Sequence, residues 1–163
     1  MGNEIAIRKT QSIWKELDKM QESLMKRAFE IFDGNGGIFG TDLENWLAAE
    51  RELVWKPQIE MKEEDHAFNI KIAVPGVDPK DLDIEVTPEV LLVKAETRHE
   101  HKESKGEVHT CEFQSGNLFR SIRFPKEIDP DKVKAEFKNG MLRIRAGIHE
   151  SARGRKVAVD TAA

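Results

Sequence analysis

The chain has 163 residues, enough for one domain of ordinary size plus an appendage and too few for two full cores. Charged side chains make up 34% of it, yet the formal net charge is only −4, so acids and bases are interspersed. That balance argues against general nucleic-acid affinity and against a basic membrane anchor.

Cys111 is the single cysteine, which rules out an intramolecular disulfide and fits a reducing compartment. An intermolecular disulfide stays open, and the simpler expectation is an unpaired cysteine packed in a strand. The opening stretch MGNEIAIRKTQSIW has no long apolar run after a basic start, and no later stretch reaches the length of a bilayer span. Ala6 breaks the pattern that would make Gly2 a myristoylation site. The expectation is a soluble, cytoplasmic protein.

From Ser12 to Phe32 the residues Ile13, Leu17, Met20, Leu24, Ala28 and Ile31 recur at steps of three and four. This spacing predicts a long amphipathic helix, its apolar face widened by Trp14, Met25, Phe29 and Phe32. The glycines of DGNGG at 33–37 end it. A second helix is expected from Thr41, where TDLE has the form of a capping box joining Thr41 and Glu44. Leu43, Trp46, Leu47 and Leu53 would share one of its faces. Residues 1–56 therefore read as a helical arm. It is either a hairpin packed on the main domain or a mobile arm meeting other chains, and the size of the apolar faces favours the second.

At Pro57 the period changes to two. HAFNIKIAV places Phe68, Ile70, Ile72 and Val74 on one face, and PGVDP then breaks the strand. DLDIEV alternates Leu82, Ile84 and Val86 with acids, VLLVKA at 90–95 is continuously apolar, and LFRSIRF at 118–124 is stopped by Pro125. Short strands separated by Pro and Gly turns, with no crossover helices, predict an all-β fold: an immunoglobulin-like antiparallel β-sandwich.

AEFKNGMLRI at 135–144 closes the series. Asn139 and Gly140 suit a type I′ turn, in which both residues take positive φ. Phe137 then faces Leu142, Ala135 faces Ile144 and Val133 faces Ala146. On the other face Glu136 meets Arg143, while Lys134 opposite Arg145 is a mild like-charge conflict.

These residues resemble the small heat-shock proteins, built on the α-crystallin domain. Ala135, Asn139, Gly140 and Leu142 match the family's late signature. VPGVDPKDLDIEV resembles its proline-glycine turn and following strand, and GNLFRSIRFP its later arginine-bearing segment. The resemblance covers residues 57–148, between an arm at 1–56 and a tail at 149–163. It implies an ATP-independent holdase that binds partly unfolded proteins, assembles from dimers into larger homo-oligomers and passes clients to ATP-dependent chaperones for refolding. No cofactor is implied.

The resemblance also implies site residues. RKVAV offers Val157 and Val159 as a Val-x-Val anchor for a neighbouring subunit's groove, formed by Leu82, Ile84 and Val86 on one strand and Val133, Ala135 and Phe137 on another. From the residues alone these valines read as a frayed tail. The long segment 96–112 would carry a strand exchanged in the dimer, bringing Val108 and Arg120 to the dimer contact. Client capture falls to the arm, through Ile13, Trp14, Leu17, Leu24, Phe29, Phe32, Trp46 and Leu47.

Other chemistry is weaker. His99, His101 and His109 lie in the long loop without a fixed third metal ligand. DGNGGIFGTDLE imitates a calcium loop but has Ile38 where the sharp turn needs glycine. The sequence contains no GxxxxGK[ST] loop to cradle nucleotide phosphates and no GxSxG, HExxH or paired CxxC motif, so an enzyme is disfavoured. The alternative function is a structural or adaptor protein that binds one defined partner through the same sandwich.

Overall fold

The computed structural model describes residues 3–9, 14–97, 105–111, 116–154 and 157–159. In chain order come β1 (Asn3–Glu4), β2 (Ile7–Lys9), α1 (Trp14–Gly34), α2 (Asp42–Leu53), β3 (Val54–Trp55), β4 (Ile59–Glu64) and β5 (Ala67–Ala73). They are followed by β6 (Leu82–Val86), β7 (Val90–Thr97), β8 (Gly116–Arg123), β9 (Ile128–Lys138) and β10 (Met141–Ile148).

The strands form two five-stranded sheets, ordered β1-β9-β10-β5-β4 and β2-β6-β7-β8-β3. Between them lies one apolar core that includes Phe68, Ile70 and Ile72 from β5, Ile84 and Val86 from β6, and Leu142 and Ile144 from β10. Phe68 stacks on Phe124 with ring centroids 5.7 Å apart, tying the two sheets together. The period-two reading is thus realised as a sandwich, with alternate residues turned inward.

The late hairpin has the expected register: Phe137 opposite Leu142, Ala135 opposite Ile144, Val133 opposite Ala146. Asn139 at φ 53° and Gly140 at φ 73° form the turn. Glu136 stands opposite Arg143, and Arg145 turns from Lys134 to donate to Asn69 at 3.2 Å.

Three expectations for local structure are corrected. Thr41 makes no capping hydrogen bond; at φ −104°, ψ 16° it lacks the extended geometry that aims an N-cap oxygen at the helix amides. Its hydroxyl instead donates to the Ile38 carbonyl and accepts from Asn45 Nδ2. On α2 itself Asn45 and Ala49 are buried, while Leu43 and Leu47 share an exposed face on the opposite side of the helix. Small Ala49 permits close approach where a leucine would not fit. Second, Cys111 is exposed at the end of the irregular stretch 105–111 and is not packed in a strand. Finally, three short strands from the first 56 residues extend the sheets: β1 pairs with β9, β2 with β6 and β3 with β8. Periodicity cannot register segments two or three residues long.

Candidate functional site

β6 and β9 belong to different sheets, yet their edges lie side by side, because β1 and β2 are separated only by Ile5 and Ala6. Leu82, Ile84 and Val86 are buried along β6, Ala135 is buried on β9, and Val133 and Phe137 are partly buried beside it.

The chain's own first strands pair along both of these edges. Ile5, only 9% exposed, joins the core and donates its amide to the Ala135 carbonyl at 3.3 Å. Ile7 pairs with Ile84 and packs against the same core. Sequence reasoning missed both residues. The signal is present: Ile5-Ala6-Ile7 has the same apolar spacing as Val157-Ala158-Val159 in the tail.

A charged lattice fastens this edge. Arg8 reaches Asp83 through Nε at 3.1 Å and Nη2 at 2.5 Å, and Glu85 through Nη2 at 2.6 Å. Lys9 pairs with Asp131 on β9, so the segment is held to both strands. Lys94 on β7 lies between Glu16 of α1 at 2.9 Å, Asp83 at 3.3 Å and Glu85 at 3.5 Å. The Glu16 carboxyl is held below its usual range, chiefly by the Lys94 hydrogen bond. Burial pushes Asp83 upward, but its partners Arg8 and Lys94 outweigh this and leave it lowered. Lys94 is the mirror case: burial lowers it, and Glu16, Asp83 and Glu85 together raise it.

Through Glu16 the arm reaches the outer face of the β6-β7-β8 sheet, where Trp14 and Leu17 border Val90 and Ser121. Leu92 points to this face and is nevertheless fully buried, which accounts for the continuously apolar VLLVKA. Along α1, Leu24 is buried and Leu17, Met20 and Ile31 are partly buried, while Trp14, Met25 and Phe29 remain exposed. Phe29, Phe32 and Phe39 form an aromatic row with centroid spacings of 6.2 and 5.9 Å, and Phe39 is 91% exposed. Trp46 is partly buried and Leu47 exposed. Ile13, His99 and His101 lie outside the described residues.

Arg120 shares the inward side of β8 with Leu118 and Ile122, and its buried Nε has no hydrogen-bond partner among the described residues. Val108 is exposed within 105–111, and Val157 and Val159 are 80% and 87% exposed. Among the described residues no cluster of three or more His, Cys, Asp or Glu side chains is arranged to hold a metal, and no helix is long and apolar enough to cross a membrane.

The sequence pattern of the Hsp20/alpha crystallin family matches residues 60–160. The chain belongs to this family. Small heat shock protein C2 of Rickettsia felis is 30% identical over 112 residues, 69% of this chain and 71% of that relative. Heat shock protein 16.0 of Schizosaccharomyces pombe superposes with a TM-score of 0.55 at 25% identity, over 66% of this chain and 99% of that one. A Xylella fastidiosa small heat-shock protein, whose structure is described as having a distinct high order, superposes with a TM-score of 0.53 at 25% identity, over 66% and 98%. The two-sheet sandwich is thus the small heat shock protein fold, and the family consists of chaperones, not enzymes.

Proposed function

We propose that the protein is an ATP-independent holdase that captures partly unfolded proteins and prevents their aggregation. The observation that carries this reading is the exposed apolar surface of the arm, from Trp14 and Phe29 to Phe39, Leu43 and Leu47, borne by a small heat shock protein sandwich. Such surface binds exposed apolar segments, and the highly charged remainder keeps the complex soluble.

Assembly accompanies capture. An inward arginine nitrogen without a partner costs about 1–3 kcal/mol, and an acid from a second copy would relieve it. Arg120 and Val108 therefore form the dimer contact, and Val157 and Val159 anchor dimers to neighbouring subunits. The work is placed in the cytoplasm, where a lone exposed Cys111 stays reduced, with ATP-dependent chaperones taking over clients for refolding.

The test is to heat a thermolabile enzyme with and without the protein in the absence of ATP. Light scattering is expected to fall as the protein approaches equimolar. Unchanged scattering at equimolar or higher ratios overturns the reading.

A further inference from the structure

We infer that residues 3–9 are an intramolecular plug of the edge groove, and that the tail segment 155–159 of a second copy replaces it, docking in the opposite chain direction. This deepens the anchor role proposed for Val157 and Val159 and is independent of client capture.

The two segments are near mirror images. The plug reads Ile5-Ala6-Ile7-Arg8-Lys9; the tail, read backwards, is Val159-Ala158-Val157-Lys156-Arg155. Each presents two β-branched residues around an alanine, then two cations. An extended segment projects alternate side chains to one side whichever way it runs, and a strand edge accepts parallel or antiparallel partners. Reversed docking therefore places Val159 where Ile5 contacts Ala135 and Val157 where Ile7 contacts Ile84. Lys156 then falls beside Asp83 and Glu85, and Arg155 beside Asp131, the acids that hold Arg8 and Lys9 in the plugged chain.

The plug is the stronger occupant by construction. Each isoleucine buries one methylene more than valine, and a tethered segment competes at high effective concentration. It is also releasable: β1 and β2 are two and three residues long, and the Arg8 and Lys9 side chains are largely exposed. The tail valines are exposed and available to a second copy. One groove with two interchangeable occupants makes assembly conditional on release of residues 3–9.

The test uses a fluorescent peptide of residues 153–163, titrated by anisotropy against full-length chains carrying Val157→Ala and Val159→Ala, so that the host's own tail does not compete. One host keeps the plug. A second adds Arg8→Ser and Lys9→Ser, which loosens the plug without touching the core, and a third adds Ile5→Ser and Ile7→Ser. If the groove is open in about a tenth of plugged molecules, apparent affinity rises about tenfold in the loosened hosts. A peptide with Arg155→Glu and Lys156→Glu is expected to bind the loosened hosts more than tenfold more weakly, on the order of the loss from placing like charges together. Equal affinity for plugged and loosened hosts overturns the plug. Indifference to the peptide's charge reversal overturns the reversed docking, and binding to no host overturns the tail anchor itself.

Discussion

Gly140 is seated on Pro75: a Cβ at Gly140 would lie 3.3 Å from the Pro75 Cα, and the Val74 amide donates to the Gly140 carbonyl at 2.8 Å. The turn that closes β9 and β10 thus packs on the turn that ends β5, so a hairpin device also fixes where the chain departs for β6. Gly140→Ala is expected to destabilise the fold by about 1–2 kcal/mol, because an L side chain at φ 73° costs that much before any displacement of Pro75. Urea unfolding of the two chains measures it. A midpoint unchanged at constant slope would mean that the turn reshapes freely.

Capture through the arm predicts a separation of activity from stability. Phe29→Ser with Phe39→Ser removes two exposed rings whose aromatic packing is with Phe32, so unfolding free energy should fall by only about 0.5–1.5 kcal/mol per site. The amount of protein needed to halve the heat-induced scattering of a client should rise severalfold. Undiminished suppression would assign capture to another surface.

The sandwich was legible because Phe68, Ile70 and Ile72 alternate with polar neighbours, and because Asn139-Gly140 specifies both a turn and a register. That β6 and β9 flank one shared edge was legible only through family resemblance, since nothing local marks strands of two different sheets as neighbours. Its occupant was missed. Residues 3–9 are too short for a periodic signal, and their pairing with strands some 75 to 130 residues away is set by tertiary packing. Which side of α2 is buried was not legible for a related reason: amphipathic counting rewards large residues, whereas the buried positions are Asn45 and Ala49.

Tail anchoring predicts that Val157→Ala with Val159→Ala lowers oligomer mass while leaving a dimer. Each substitution removes roughly two methylene equivalents, about 1.5 kcal/mol per anchor residue if fully buried in the partner. Both side chains are solvent-exposed in the isolated chain, so its thermal stability should not change. Light-scattering mass across a concentration series reports the result, and an unchanged mass removes the anchor role.

The lattice around Lys94 predicts stability limits at both ends of the pH scale. The Lys94 hydrogen bond leads in lowering Glu16, and Asp83 stays low because Arg8 and Lys94 overcome its burial. Each carboxyl binds its proton less tightly folded than unfolded, so each contributes stability above the unfolded value of about 4 and loses it as pH falls through the folded value. Lys94 is raised although burial opposes this, so its contribution is complete below its unfolded value and lost as pH climbs through the folded one, beyond about 10. Between about pH 5 and 10 the lattice, with Arg8, Lys19 and Glu85 as its remaining charged members, should hold α1 against the sheet at constant strength. Lys94→Met removes the cation shared by Glu16, Asp83 and Glu85. Its melting temperature should be lower across that plateau, and the decline below about pH 4 should be shallower, because Glu16 no longer has a depressed folded value to lose. Melting curves from pH 2 to 11 for both chains compare the two shapes; identical acid limbs would show that Lys94 does not govern Glu16.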